Sequence, residues 1–149
     1  MSRVIILRGL PGSGKSSLCT NFDVEAVVCS ADDFFYDEED NYIFDGSKLA
    51  LAHQACQEKF STALLDGSRL IIVDNTNTQH WEMKPYLDMA YLADARVTVI
   101  SAFDGGCTDE ELAERNTHGV PQDSIAGMRA RFEHDWKAHD ARPPWERGK

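Results

Sequence analysis

Residues 9–16 read Gly-Leu-Pro-Gly-Ser-Gly-Lys-Ser and fit the pattern G-x-x-x-x-G-K-[ST] at every fixed position. The apolar run Val4–Leu7 precedes this stretch and Ser17–Phe22 follows it, so we expect a buried strand, a glycine-rich turn and a helix in that order. Glycines let such a turn approach an oxyanion closely, and the helix N-terminus offers free N–H groups. The stretch therefore predicts a site for nucleotide phosphates rather than an ordinary glycine-rich turn.

The side chains of this stretch have separate expected roles. Lys15 can reach the β- and γ-phosphates of ATP, and the Ser16 hydroxyl can coordinate Mg²⁺. We expect ATP to be held here by Gly12, Ser13, Gly14, Lys15, Ser16 and Ser17.

Acidic side chains follow two further apolar runs, at the point where each predicted strand ends. Asp32 and Asp33 come just after Ala26–Ser30, and Asp74 follows Leu70–Val73. Open α/β sheets bind ligands at the carboxyl ends of their strands, so we expect these acids to face the phosphates. Asp74 would support Mg²⁺, and Asp32 or Asp33 would accept the proton of an acceptor hydroxyl. The alternative for the Asp32–Asp33 pair is a helix cap.

Apolar periodicity alternates between strand and helix patterns along the chain. Strands are predicted over about 3–8, 26–30, 70–73 and 97–102, and helices over about 15–22, 47–66, 80–92, 108–116 and 122–137. Thr108 and Glu111 fit a capping box. This alternation predicts one α/β domain over 1–149, with a parallel sheet of four or five strands, helices on both faces and an irregular tail from about residue 138.

Two polar segments could contribute to an acceptor site. The acidic stretch Tyr36–Gly46 carries the aromatic residues Tyr36, Tyr42 and Phe44, which could stack on a base, although a solvated surface loop is equally consistent with it. Asn75 and Asn77 could hydrogen-bond an acceptor, and Asn77 or Thr78 could instead be a helix N-cap.

The C-terminal third supplies candidate cations for the developing charge of phosphoryl transfer. Arg115 and Arg129 lie on or next to the two helices that flank Gly119. The joint Gly119-Val120-Pro121 would suit a short helical lid, Arg115–Pro121, that closes over ATP. For any one of these arginines taken singly, a solvated surface charge is the more ordinary interpretation.

Composition limits the partners. The net charge of −10 and pI near 4.8 argue against broad electrostatic binding of nucleic acid but leave room for a local groove. The four cysteines have no metal-site spacing, and we expect no leader peptide, no membrane span and a cytoplasmic protein. No protein partner is evident.

Four segments in matching order resemble the P-loop kinase domain of the polynucleotide 5′-kinase family. They are Leu7–Ser16, Ser30–Phe35, Val73–Asn77 and Arg115–Pro121. The resemblance covers about residues 3–133 and is greatest to the branch with the domain of NEDD4-binding protein 2 and small stand-alone bacterial or phage relatives.

The resemblance implies roles for individual residues. Asp32 would contact and deprotonate an acceptor 5′-hydroxyl, with Asp33 and Phe35 beside it, and Asp74 would lie near Mg²⁺ or the acceptor. The lid and adenine pocket would include Arg115, Asn116, His118, Val120 and Pro121.

The chain departs from the bacteriophage kinases of that family at two positions. Phe35 stands where they carry an arginine that grips the acceptor phosphate, and His118 stands where they carry a lid arginine over the donor phosphates. Aromatic contact could replace the first, and Arg115 or Arg129 would have to replace the second.

The sequence favours an ATP- and Mg²⁺-dependent kinase that phosphorylates a hydroxyl of a nucleic acid, with a polynucleotide 5′-hydroxyl as the first expectation. The alternative acceptor is a small metabolite, a nucleoside or a hydroxymethylated DNA base. A further alternative is a nucleotide-binding switch or accessory module without transfer.

Overall fold

A computed structural model of the chain describes residues 2–21 and 25–134. Four strands form one parallel sheet in the order β2-β3-β1-β4: β1 Arg3–Gly9, β2 Val27–Cys29, β3 Leu70–Asp74 and β4 Arg96–Phe103. Four α-helices are present in the described ranges: α1 Leu49–Leu65, α2 His80–Leu92, α3 Asp109–Arg115 and α4 Gln122–Arg131. Short 3₁₀ helices span Lys15–Asn21, Ala31–Phe35 and Gly46–Lys48. The predicted α/β class and parallel sheet are confirmed.

The central strands β1 and β3 carry the continuous apolar runs Val4–Leu7 and Leu70–Val73, because both faces of the sheet are covered. Val4 and Ile6 pack with α1 and α2 on one face, while Ile5 and Leu7 face Leu18 and the 3₁₀ helix that contains it. Near-continuous apolar runs are what a doubly covered parallel strand requires. Helices therefore lie on both faces, although the one after the phosphate loop is short.

The strand order determines how the site is assembled. Since β3 lies between β2 and β1, Asp74 at its carboxyl end falls between the phosphate loop after β1 and the Ala31–Phe35 helix after β2. Ligand sites in open parallel sheets form at this edge.

The structure corrects several predicted element boundaries. The helix after the phosphate loop is 3₁₀ rather than α, in keeping with a Ser-, Thr- and Asn-rich segment of modest helix propensity. Gln79, not Asn77 or Thr78, is the N-cap of α2, and Pro85 is accommodated inside that helix. Helix α4 was predicted to run to residue 137, but it ends at Arg131 and residues 132–134 are not helical. The predicted tail over 138–149 lies outside the described residues.

The two C-terminal helices form a small cluster of their own beside the phosphate loop. Its buried core joins Leu10 of that loop to Leu112 of α3, Ile125 of α4 and Phe132. The capping box predicted for α3 is present at Thr108, whose side chain accepts from the Glu111 backbone N–H. Packing through Leu10 ties the predicted lid to the phosphate loop.

A buried arginine holds this end of the sheet together. Arg8 is 0% exposed, its Nε donates to the Asn77 carbonyl at 2.8 Å, and its Nη2 donates to the carbonyls of Thr78, at 3.0 Å, and Glu133. Its guanidinium lies 4.5 Å from the centre of the Phe132 ring. Arg8 therefore connects β1 to the segment after β3 and to the chain beyond α4.

We expect Arg8→Met to destabilise the fold strongly. Methionine keeps much of the apolar stem but leaves buried carbonyls without donors, which costs about 2–5 kcal/mol in all. Urea unfolding measures the loss, with Arg3→Met at the exposed start of the same strand as the control. Equal midpoints for the two variants would contradict this role of Arg8.

Candidate active site

The glycine-rich turn after β1 is held against the start of the lid. Gly12 and Gly14 have φ angles of 82° and 91°, which glycine adopts without strain. A Cβ at Gly12 would lie 2.6 Å from the Leu112 carbonyl oxygen, and the Leu10 N–H donates to the Phe103 carbonyl at 2.7 Å. Among the described residues, the buried Ser13 Oγ has no hydrogen-bond partner. These features fit a turn that presents polar groups to a phosphate.

Lys15, Ser16 and Asp74 meet directly beyond this turn. The Lys15 ammonium lies 3.1 Å from Asp74 Oδ1, and the Ser16 hydroxyl donates to Asp74 Oδ2 at 2.9 Å. The side chains of Lys15 and Asp74 are only 13% and 11% exposed. Two hard oxygen donors that converge in this way fit Mg²⁺, which takes few protein ligands and keeps waters and substrate phosphates.

Two cavities flank this group. The smaller, about 200 Å³, lies along the phosphate loop; its lining is Leu10, Gly12, Ser13, Gly14, Lys15, Ser16, Ser17, Arg115, Asn116 and Thr117. The larger, about 570 Å³, extends past Asp74 to Asp32 and Asp33. The residues that line both cavities are Gly12, Lys15, Ser16, Asn116 and Thr117. The predicted donor residues and the predicted base thus line connected parts of one site.

Asp32 and Asp33 point in different directions. Ser30 caps their 3₁₀ helix by accepting from the Asp32 backbone N–H at 3.3 Å. The Asp32 carboxylate accepts from the Tyr42 hydroxyl at 3.0 Å and lies 3.3 Å from His118 Nδ1. Asp33 instead lies 4.0 Å from the ammonium of Lys59 on α1. Burial raises the pKa of Asp33, and Lys59 opposes that rise.

The two asparagines predicted to bind an acceptor differ in position, since Asn75 lines the larger cavity and Asn77 does not. Asn77 is 2% exposed and lines neither cavity, because its Nδ2 donates to the Leu7 carbonyl at 2.8 Å and its own carbonyl accepts from Arg8. The structure contradicts the prediction that it binds an acceptor. Asn75 lines the larger cavity, but its Oδ1 accepts from the Ala31 N–H at 2.8 Å, so it positions the start of the Asp32 helix.

Phe35, which was predicted to lie beside the acceptor, is almost completely buried. It borders the larger cavity yet is only 5% exposed, and its ring packs against Phe44 and Tyr42 with centroids 5.0 and 6.2 Å away. The aromatic side chains that line this cavity and are more exposed than Phe35 are Tyr36, Tyr42 and Phe44. The structure therefore gives Phe35 mainly a packing role beneath the cavity.

The two candidate arginines lie in different surroundings. Arg129 donates to Asp109 and Asp104, each at 2.7 Å, and to the Cys107 carbonyl at 2.9 Å, and it lines neither cavity. This geometry contradicts its prediction as the transition-state cation, because its donors clamp α4 to the loop before α3. Arg115 lines the smaller cavity and donates to Cys107 Sγ at 2.8 Å. Arg115 is the candidate that remains on the donor side.

The lid segment Arg115–Pro121 is shaped by Asn116. Its Nδ2 donates to the Val120 carbonyl at 3.0 Å, and its Oδ1 accepts from the Val120 N–H at 2.9 Å. Val120, Pro121 and His118 line the larger cavity and not the smaller one. The structure thus places His118 beside Asp32, on the acceptor side, and not over the phosphate loop as the resemblance implied.

The stretch Tyr36–Gly46, called the flap from here on, is an ordered turn. Tyr36 and Tyr42 form an antiparallel bridge, and the Asp37 carboxylate accepts from the backbone N–H groups of Glu39 and Asn41 at 2.8 and 2.9 Å. Tyr36, Tyr42 and Phe44 line the larger cavity, as expected if the stretch faces a substrate. The sequence signal was the aromatic residues between charges, but nothing in it indicated that Tyr42 bonds Asp32.

Two kinds of feature are absent from residues 2–21 and 25–134. No helix in those ranges is long and apolar enough to cross a membrane. The same ranges hold no cluster of three or more His, Cys, Asp or Glu residues that could bind a metal ion without help from a substrate.

The parallel sheet, the phosphate loop and the Lys15–Ser16–Asp74 group define a P-loop, kinase-like α/β domain. Residues 4–134 match the family described as AAA domain, and the chain belongs to that family.

The chain is similar in sequence to one known relative and in fold to two solved structures. NEDD4-binding protein 2 of Homo sapiens is 38% identical over an alignment of 129 residues, which covers 84% of this chain and 7% of the human protein. The chain therefore spans a small fraction of that relative. A chain in the structure of the Pnkp1/Rnl/Hen1 RNA repair complex has a TM-score of 0.60 and 18% identity, over 87% of this chain and 43% of its own. Mycobacterium tuberculosis APS kinase CysC has a TM-score of 0.51 and 14% identity, over 85% of this chain and 96% of its own.

We expect Gly12→Ala to impair nucleotide binding more than Gly14→Ala does. Both positions have positive φ, so both variants carry backbone strain. Only at Gly12 would the added Cβ collide with the Leu112 carbonyl, since at Gly14 nothing lies within 4 Å. Titration with a fluorescent ATP analogue compares the dissociation constants, and equal weakening would show that strain rather than contact with α3 is responsible.

Proposed function

We propose that this chain is an ATP- and Mg²⁺-dependent kinase that transfers the γ-phosphate to a hydroxyl of a nucleic acid, first of all a polynucleotide 5′-hydroxyl. The observation that carries the proposal is that Asp32 lines the same cavity as Lys15, Ser16 and Asp74. Phosphoryl transfer needs a phosphate cradle, a metal ligand and a group that takes the nucleophile's proton, and these residues offer all three. The nucleic acid acceptor is supported by the resemblance to polynucleotide kinases.

The residues have distinct proposed roles. Gly12, Gly14 and Lys15 hold the donor phosphates, and Ser16 and Asp74 hold Mg²⁺, which would neutralise charge on those phosphates. Arg115 adds positive charge from the lid segment. Asp32 takes the proton of the acceptor hydroxyl on the opposite side.

One observation favours a small acceptor as the second candidate. Among the described residues that line the larger cavity, Lys15 is the only lysine or arginine, and its ammonium lies against Asp74. A protein that tracks a phosphate backbone neutralises it with several cations. A nucleoside, a modified base or another small hydroxyl compound needs no such track, and a nucleotide-binding module without transfer remains the third candidate.

Transfer from γ-labelled ATP to a panel of acceptors tests these candidates. The panel holds 5′-hydroxyl DNA and RNA oligonucleotides, free nucleosides and nucleoside 3′-monophosphates, with 5′-phosphorylated oligonucleotides as the matched blocked control. Label on the 5′-hydroxyl oligonucleotides alone supports the proposal, and label on nucleosides alone supports the second candidate. No label on any acceptor, with ATP bound normally, would contradict a kinase.

Salt dependence gives a second reading of the same assay. For an acceptor held through about six or more phosphates, we expect kcat/KM to fall by about 10³-fold or more between about 50 and 200 mM salt. An acceptor held by aromatic contact at its first nucleoside shows a much smaller decrease.

A further inference from the structure

His118 joins the lid segment to the proposed base. It follows Asn116, whose side-chain amide closes the loop through Val120, and it precedes Gly119, whose φ is 69°. The His118 side chain is 27% exposed, and its Nδ1 lies 3.3 Å from Asp32 Oδ2. The lid segment thus contacts Asp32 through the His118 side chain.

The flap holds the same imidazole from the other side. The Tyr42 and His118 rings stack with centroids 4.3 Å apart at 30°, and the Tyr36 hydroxyl lies 3.1 Å from His118 Nε2. Tyr42 also donates to Asp32 Oδ1 at 3.0 Å. The pKa of Tyr42 is raised by burial and then by Asp32, so its hydroxyl keeps its proton and acts as a donor. Asp32, His118, Tyr42 and Tyr36 therefore form one connected cluster.

We propose that His118 is a positioning residue for Asp32, and that the lid segment and the flap together orient the base through it. This role requires the proton on Nδ1, so that His118 donates to Asp32 Oδ2 across the 3.3 Å contact while the Tyr42 hydroxyl donates to Oδ1. Because a carboxylate offers about four lone-pair sites, lone pairs remain on both oxygens for an acceptor hydroxyl. Two fixed donors stop the carboxylate from rotating.

This inference rests on the proposed kinase function and adds an acceptor-side role for the lid. In the transfer step, the acceptor oxygen forms a bond to the γ-phosphorus, and the bond from that phosphorus to the β–γ bridging oxygen breaks. The acceptor proton moves to Asp32 and ADP leaves. A carboxylate aimed at the hydroxyl accelerates this step, whereas a freely rotating one meets it only part of the time.

The same geometry separates this role from donor binding. Arg115, Asn116 and Thr117 of the lid segment line the smaller cavity beside the phosphate loop, whereas His118 lines only the larger one. If His118 acted on donor phosphates, its loss would weaken ATP binding. If it positions Asp32, its loss lowers kcat for transfer and leaves ATP affinity unchanged.

Three substitutions test the proposal in the full chain. His118→Phe keeps an aromatic ring against Tyr42 but removes both nitrogens, and we expect kcat to fall about 10- to 100-fold. His118→Asn places an amide N–H near the position of Nδ1 and should recover most of that loss. Tyr36→Phe removes only the hydroxyl next to Nε2 and should give a smaller decrease, with Tyr91→Phe on the exposed face of α2 as the matched control.

A nitrogen-15 NMR measurement tests the contact independently of any activity. Neutral His118 should carry its proton on Nδ1, since that nitrogen faces a carboxylate, and Asp32→Ala should abolish this preference. If the unaltered protein phosphorylates no acceptor but shows the Nδ1–H form, the proposed function fails and the contact stands. If the tautomer is Nε2–H, or if His118→Phe weakens ATP binding as much as it lowers kcat, the positioning role is overturned.

Discussion

Asp32→Asn should abolish phosphate transfer while leaving ATP binding intact. Asparagine has the size of aspartate, and its one amide oxygen can still accept from the Tyr42 hydroxyl. Its amide nitrogen can neither accept from His118 nor take up the acceptor's proton as a carboxylate does. Loss of a general base lowers kcat by about 10²- to 10⁴-fold. Asp32 lines the larger cavity and not the smaller one, so the nucleotide dissociation constant should not change.

Asp33→Asn provides the comparison that decides between the two neighbouring acids. Asp33 has the same chemistry one residue away, but its carboxylate is directed to Lys59. We expect it to retain most of the transfer rate. Single-turnover transfer from labelled ATP and equilibrium nucleotide binding are measured for both variants, and a fully active Asp32→Asn would remove Asp32 from the mechanism.

The grouping of Lys15 and Ser16 with Asp74 was predictable from the sequence because the stretch that carries the first two is local. Gly12, Lys15 and Ser16 belong to one short turn whose function requires fixed spacing, and Asp74 follows from the rule that acids at strand ends face that turn. The sheet order β2-β3-β1 then brings them together without further information.

The acceptor half could not be predicted in the same way because its contacts join distant parts of the chain. His118 lies 86 positions after Asp32, and no spacing rule relates the two residues. Asn77 has a side chain that suits a ligand, yet its amide nitrogen donates to the Leu7 carbonyl and its backbone carbonyl accepts from Arg8 inside the fold. Arg129 was a candidate cation for phosphoryl transfer from its place in the sequence, but its guanidinium donates to Asp104 and Asp109. Burial and prior hydrogen bonding, which a sequence does not display, decide such cases.

Lys15→Met should remove both nucleotide binding and transfer. In the structure the Lys15 ammonium is paired with Asp74 at 3.1 Å, in a site where both side chains are mostly buried. To act on a nucleotide, Lys15 would turn from Asp74 to the β- and γ-phosphates, and Asp74 would be free to help hold a Mg²⁺ ion that balances its charge. Methionine keeps the length of the side chain but supplies no charge, so kcat should fall at least about 10²- to 10³-fold.

Lys59→Met is the matched control, because Lys59 is also a lysine next to an acid but belongs to α1. Its ammonium donates to the Val28 carbonyl at 2.7 Å and lies 4.0 Å from Asp33, and it lines neither cavity. Thermal unfolding of both variants separates lost binding from lost folding, since Asp74 keeps the Ser16 hydroxyl when Lys15 is replaced. Asp32→Asn should bind ATP without transferring it, and Lys15→Met should do neither. Normal transfer by Lys15→Met would show that the phosphate loop is not the donor site, and the proposed kinase would then have no donor side.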